Sequence, residues 1–257
     1  MGQAIARGAI TAHVIRPDEL VVAELDAGKR AEVLKLGCTA THDARHATAS
    51  EQVLLAVKPQ SFPEVASAIG PLGKPTVVIT IMAGLRTDRI RARLGEHARM
   101  IRAMPNTPCQ LGEGMTGIAL GQGAEIGDEQ LACQIFEALG RTSVLEESLM
   151  DAVTAVSGSG PAYVYLLAEL MQKAANAIGL DEATARLLVV QTVIGAGRML
   201  RDTGLEPAEL RRVVTTPGGT TAAAMEVIMG RDLPGLLIEA LTAARDRGVE
   251  LGRNATL

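Results

Sequence analysis

Two short stretches of this chain join bare backbone to uncharged hydroxyl groups. One is Val156-Ser157-Gly158-Ser159-Gly160-Pro161-Ala162-Tyr163, and the other is Val214-Thr215-Thr216-Pro217-Gly218-Gly219-Thr220-Thr221. Glycine lets main-chain N–H groups come close to a ligand, and a nest of such groups at a helix start suits a carboxylate. Thr216, Thr220 and Thr221 add donors that carry no charge, as a site for a small amino or imino acid requires. The same residues also make an ordinary turn and helix cap, with Thr216 as the N-cap and Pro217 at the first helical position.

A second set closes apolar runs in the first half of the chain. Ala56-Val57-Lys58-Pro59, Met82-Ala83-Gly84 and Met104-Pro105-Asn106-Thr107-Pro108 end three successive runs. Open α/β sheets bind ligands at the carboxyl ends of their strands. Lys58 supplies a cation, Ala83-Gly84 lets a flat ring approach the backbone, and Asn106 offers both a donor and an acceptor. Each is also an ordinary strand-end loop; their recurrence favours a ligand. Gly2 opens an Ala-rich helix, and Glu24 ends an apolar run some 22 residues later. That is the back half of a dinucleotide-binding unit: a glycine packing helix on sheet, then an acid for the adenosine ribose. The front half, a strand with two glycines, would stand ahead of Met1.

These residues need elements to position them. Helical spacing runs over Met1–Ala12, Ala27–Leu36, Phe62–Ile69, Thr87–Leu94 and Asp128–Leu139. Strand-like runs are Leu20–Glu24, Val53–Val57, Thr76–Met82, Arg99–Ala103, Met115–Leu120 and Thr142–Leu145. The alternation implies a parallel sheet covered on both faces. After about Ser148 the pattern turns helical: Pro161–Ile178, Asp181–Asp202, Pro207–Val214, Thr220–Met229 and Leu233–Leu251. Leu187–Gly197 is apolar nearly all round, which implies burial on every side and hence a partner subunit. The expected division is a dinucleotide-binding domain over residues 1–148 and a helical domain over 149–257.

Composition narrows the function. The chain has 257 residues, 47% apolar and 21% charged, enough for two globular domains. Aromatics are 2% and the net charge is −4, which disfavours base stacking and a nucleic-acid partner. Cys38, Cys109 and Cys133 are odd in number and widely spaced, which fits a reduced, cytoplasmic setting. His42 and His46 share helical spacing, but Asp43 alone is thin support for a metal, and none is expected. Neither a signal peptide nor a membrane span is read in the sequence.

Taken together, five motifs resemble pyrroline-5-carboxylate reductases. They are Met1-Gly2-Gln3-Ala4-Ile5-Ala6-Arg7-Gly8, Ala56-Val57-Lys58-Pro59-Gln60, Met104-Pro105-Asn106-Thr107-Pro108, Ser157-Gly158-Ser159-Gly160-Pro161-Ala162-Tyr163 and Thr215-Thr216-Pro217-Gly218-Gly219-Thr220-Thr221. The last two together are highly specific, and the resemblance extends to about Gly252. It implies a doubly wound, Rossmann-type parallel sheet followed by an all-helical domain that interlocks with a second subunit, as a homodimer or a higher oligomer of dimers. It also implies reduction of 1-pyrroline-5-carboxylate to L-proline with NADPH or NADH, the last step of proline biosynthesis.

By position, Ala56, Val57, Lys58, Pro59, Ala83, Gly84 and Asn106 would line the nicotinamide side, with Gly2 and Glu24 on the rest of the dinucleotide. Thr216, Gly218, Gly219, Thr220 and Thr221 would hold the substrate. Thr221 matches the family's threonine near the imine nitrogen, and Thr216 stands where some members have Ser. The substrate motif holds no His, Cys or carboxylate, so the imine is expected to be protonated before hydride arrives. The carboxylate of Glu24 repels a 2′-phosphate, which leans toward NADH, unless Lys29 and Arg30 offset it.

Two alternatives remain. A β-hydroxyacid dehydrogenase has the same layout but wants a lysine in the second domain, where Lys173 lies outside the glycine motifs. A non-catalytic paralogue would lack the phosphate-gripping turn. The resemblance places a first strand before Met1, centrally in the sheet. Without it, Leu20–Glu24 and Val53–Val57 are expected to stand apart by about two strand spacings, near 9.5 Å, and the chain to be poorly soluble or unstable in its first domain.

Overall fold

The computed structural model describes residues 1–254. The chain falls into two compact units: Met1–Pro161 together with the chain from Thr242 onward, and Ala162–Leu241.

The first unit opens with helix α1 (Gly2–Thr11), whose Ile5 and Ala9 lie one turn apart and are both buried. Strand β1 (Val21–Ala23), helix α2 (Ala27–Leu34) and strand β2 (Thr39–Thr41) follow, and β1 pairs in parallel with β2. Asp26 caps α2, accepting the Lys29 N–H at 2.8 Å. A second sheet is built from β3 (Gln52–Leu55), β4 (Thr76–Thr80), β5 (Ala98–Pro105), β6 (Gly114–Leu120) and β7 (Gly140–Val144), side by side in that order. Helices α3 (Phe62–Ile69), α4 (Thr87–Leu94) and α5 (Gln130–Glu137) connect them.

Alternation along the strands builds two cores. Val77, Ile79, Ile101 and Ala103 pack with Ile5 and Ala9 of α1 and with Ile135 and Phe136 of α5. Val78 and Met100 face the other way, onto Phe62 and Ala66 of α3 and Ile90 and Leu94 of α4.

Two local features depart from the expected pattern. First, β6 runs antiparallel to β5, whereas β3, β4 and β5 are mutually parallel, as are β6 and β7. The link from Asn106 to Glu113 carries a single 3-10 turn, Thr107–Leu111, too short for the crossover that a parallel strand needs. Second, Thr39–Thr41 forms a strand although it has no apolar run to announce it. In keeping with the expectation, β1 and β3 do not pair with each other among the described residues.

After β7 the chain turns helical earlier than expected. Helix α6 (Met150–Val153) continues into a π-helical turn, Thr154–Gly158, before α7 (Gly160–Ala177). The Ser159 N–H reaches back to the Thr154 carbonyl at 2.8 Å. Gly158 faces β5: a Cβ there would stand 2.9 Å from Met104 Cε, the free end of that side chain. Helices α8 (Glu182–Asp202), α9 (Pro207–Val213), α10 (Thr220–Met229) and α11 (Leu233–Asn254) complete the chain. Leu187–Gly197, expected to be buried all round, is largely open in the single chain: Leu187 is 71% exposed and Leu188, Val190 and Ile194 are also exposed.

Candidate active site

The carboxyl ends of β3, β4 and β5 lie side by side because the three strands are parallel neighbours. After β3, Ala56 and Lys58 are exposed, and Pro59 opens a 3-10 turn closed by the Ser61 N–H on the Lys58 carbonyl at 2.9 Å. After β4, the Met82 N–H donates to Thr80 Oγ1 at 3.2 Å, and the chain then turns through Gly84 at φ +73°. Ala83 is exposed and Gly84 is buried. The glycine is therefore demanded by its left-handed backbone and by what covers it, while Ala83 presents the open surface.

Asn106 ends β5. Its Oδ1 accepts the Met115 N–H at 3.0 Å, and its Nδ2 donates to the Ser157 carbonyl at 3.3 Å. Both ends of the amide are engaged, and they tie the π-helical turn to the β5–β6 link.

Gly2 begins α1, and a Cβ there would lie 3.1 Å from Ala56 Cβ, so the start of α1 abuts the end of β3. No side chain caps α1. An uncapped helix start against a strand-end loop suits an anionic group such as a pyrophosphate. Gln3 Nε2 donates to the Lys29 carbonyl at 3.4 Å, linking this end to α2. Glu24 follows β1. Its Oε1 accepts the Asp26 N–H at 3.0 Å, and Arg30 Nη1 donates to the carbonyls of Glu24 and Leu25 at 2.7 and 2.6 Å. These features fit a dinucleotide: an uncapped helix start for phosphates, an acid for ribose hydroxyls, and exposed small residues at the strand ends.

Sequence reasoning missed a charged cluster behind these loops. Arg102, 3% exposed, holds Asp151 at 2.9 Å and stands 3.9 Å from Glu147. Glu147 accepts the Thr87 N–H at 2.9 Å and the Thr87 hydroxyl at 2.7 Å, capping α4 from sixty residues away. The Thr87 hydroxyl in turn accepts the Gln122 N–H at 2.9 Å. The cluster fastens the end of the β4–α4 turn. The available signal was an arginine inside the apolar run Met-Ile-Arg-Ala-Met, a buried charge that requires partners.

The second glycine motif lies within the other unit. Thr216 is not the N-cap. Gly219 is, and α10 starts at Thr220, with Pro217 left in the preceding turn. Gly218 takes φ +69°, which lets the chain fold back so that the Gly219 N–H reaches the Thr216 carbonyl at 3.0 Å. The Thr215 hydroxyl is spent on the Arg211 carbonyl at 2.7 Å. Thr216, Gly218 and Thr220 are exposed, and Gly219 and Thr221 are half-buried. No side chain caps α10, so its positive end is available to a carboxylate.

Other reactive groups are occupied elsewhere. Burial pushes the thiols of Cys38, Cys109 and Cys133 up. Lys173 pairs with Glu169 at 2.6 Å on an exposed helix face. Among the described residues no three His, Cys, Asp or Glu side chains gather to hold a metal.

A sheet domain with ligand loops at its strand ends, followed by helices, is the layout of a dinucleotide-dependent oxidoreductase. Comparison with known proteins narrows the class. Residues 1–84 match the family model for NADP oxidoreductase, coenzyme F420-dependent, and residues 147–251 match pyrroline-5-carboxylate reductase dimerisation. The pyrroline-5-carboxylate reductase of Synechocystis sp. is 40% identical, covering 98% of this chain and 95% of that one. A solved pyrroline-5-carboxylate reductase from Coxiella burnetii is 36% identical with a TM-score of 0.90, covering 97% of this chain and 94% of that one. The Plasmodium falciparum pyrroline carboxylate reductase, solved with NADP bound, is 27% identical with a TM-score of 0.85, covering 98% and 94%. The chain belongs to the pyrroline-5-carboxylate reductase family and carries its dimerisation domain.

Proposed function

We infer that this chain reduces 1-pyrroline-5-carboxylate to L-proline with NADPH or NADH, the last step of proline biosynthesis. The observation that carries the reading is the uncapped start of α10 flanked by Thr216, Gly218, Gly219, Thr220 and Thr221. It offers a carboxylate backbone donors and a positive helix end without a competing charge. The reduced nicotinamide, when bound, supplies the hydride. The protein's part is positioning. The α10 start holds the substrate carboxylate, and the Thr221 hydroxyl accepts a hydrogen bond from the protonated ring nitrogen and orients the imine carbon. As hydride adds to that carbon, the C=N electron pair passes to nitrogen and leaves a secondary amine.

On the dinucleotide side, Ala56, Val57, Lys58, Pro59 and Ala83 provide surface at the strand ends, with Gly84 and Asn106 bracing it. Gly2 and the start of α1 take phosphate, and Glu24 takes ribose hydroxyls. One Glu24 oxygen already accepts from Asp26, and Arg30 is folded onto nearby carbonyls. This arrangement favours NADH, and a roughly tenfold or greater kinetic preference for NADPH would overturn that preference. Residues 1–148 serve the dinucleotide and 149–257 the substrate and the second subunit of a cytoplasmic homodimer or oligomer of dimers. Among the described residues no helix is long and apolar enough to cross a membrane.

The test is Thr221→Ala. Activity should fall roughly ten- to a thousand-fold with folding retained, because one positioned hydrogen bond is worth about 1.5–4 kcal/mol at a transition state. Unchanged turnover would remove Thr221 from the site.

A further inference from the structure

The β4–α4 turn is fixed at both ends, by Thr80 on the Met82 N–H and by Glu147 on Thr87. Gly84, in its middle, is covered by the last turns of α11, which belong to the same compact unit, while Ala83 beside it stays exposed. Gly248 and Gly252 lie one helical turn apart there, and both are buried. A Cβ built on Gly84 would meet the Gly248 carbonyl at 3.3 Å and Leu251 Cβ at 3.3 Å. A Cβ on Gly252 would overlap the Gly84 carbonyl oxygen. A Cβ on Gly248 would meet Asp151 no closer than 3.7 Å, an ordinary contact. The two backbones therefore approach most closely at Gly252 against Gly84. Arg89 of α4 adds a bond to the Arg253 carbonyl at 3.5 Å.

We propose that Gly252 is a positioning residue for the dinucleotide: by resting bare backbone on the Gly84 carbonyl it sets where Ala83 stands. The proposal depends on the reading that Ala83 borders the nicotinamide. A methyl group at 252 cannot fit unless the two backbones part, and Gly84, in the left-handed region with both flanks tied, passes its share of that shift to Ala83.

Gly252→Ala and Gly248→Ala make the same chemical change one turn apart on the same helix. Alanine is the better helix former at both positions, so only the contact with Gly84 separates them. Dinucleotide binding is measured by calorimetry without substrate, together with hydrogen exchange of the turn amides. Gly252→Ala should weaken binding about tenfold, while Gly248→Ala stays within about twofold. A chain ending at Glu250 removes the support without overpacking, and should show faster exchange at Gly84 and Leu85 and weaker binding. Ala83→Val tests the underlying reading. If Ala83→Val weakens binding while Gly252→Ala and the shortened chain bind like the parent, the positioning role is wrong. If Ala83→Val also binds like the parent, the placement of the nicotinamide is wrong.

Discussion

On β4 every residue from Thr76 to Thr80 is buried, whereas on α7, more than three times as long, none is. The contrast holds across the two units. The five-stranded sheet has apolar cover on both faces from its own chain: α1 and α5 on one side, α3 and α4 on the other. The helices from α7 to α10 leave Leu166, Leu167, Leu170, Leu187, Val213 and Val227 exposed. Apolar surface on that scale marks an interface. We assign its cover to a second copy of the chain, in keeping with the dimerisation domain these helices form. The difference teaches that the five-stranded sheet draws its apolar cover from its own chain, while the helical unit leaves its apolar face for association.

The largest effect should come from breaking that association. Leu187→Glu combined with Val190→Glu on α8 should turn a dimer with an interface above about 2,000 Å² into monomers in sedimentation, with loss of the helical signal that α7–α10 contribute. A pair-substituted chain that stays dimeric would place the interface elsewhere. In the sheet unit, Phe136→Ala should cost about 3–5 kcal/mol in denaturant unfolding without changing the oligomeric state. A change of assembly in that variant would blur the distinction between the units.

The smallest effect lies in acid. Arg45 holds the half-buried Asp43 carboxyl at about 2, below its ordinary 3.8. A lowered carboxyl adds stability above its ordinary value and loses it as pH falls through the lowered one. Asp43→Asn should therefore slightly flatten the acid limb of unfolding of the sheet unit. An acid limb identical to the parent's would show that this pair adds nothing.

Much of this architecture was legible because the residues announce it. Val-Val-Ile at β4 and the Gly or Pro stops after β3 and β4 mark strands and their ends, and the Thr-Pro-Gly-Gly-Thr-Thr run marks the turn that opens α10. What was hidden depends on partners distant in sequence. Thr39–Thr41 is a strand because β1 lies beside it. β6 reverses because its link is short. The π-helical turn is hidden because Gly158 and Gly160 break the helical pattern. Arg102 reads as a stray charge until Asp151 and Glu147 are seen around it. Gly252 is one glycine near a helix end until Gly84 is found against it. The alternative that Thr216 is a cap rests on Pro217 following it, but the left-handed Gly218 moves the helix start on to Gly219 and Thr220.

The most direct test of the reductase reading follows the hydride itself. Chain incubated with 1-pyrroline-5-carboxylate and NADH or NADPH carrying deuterium at the transferable C4 position should yield L-proline with one deuterium on Cδ for each dinucleotide oxidised, as read by mass spectrometry and NMR. Thr221→Ala should yield the same labelled product, only more slowly. Proline without the label, or no proline at all from a folded, dimeric, dinucleotide-bound chain, would contradict the account.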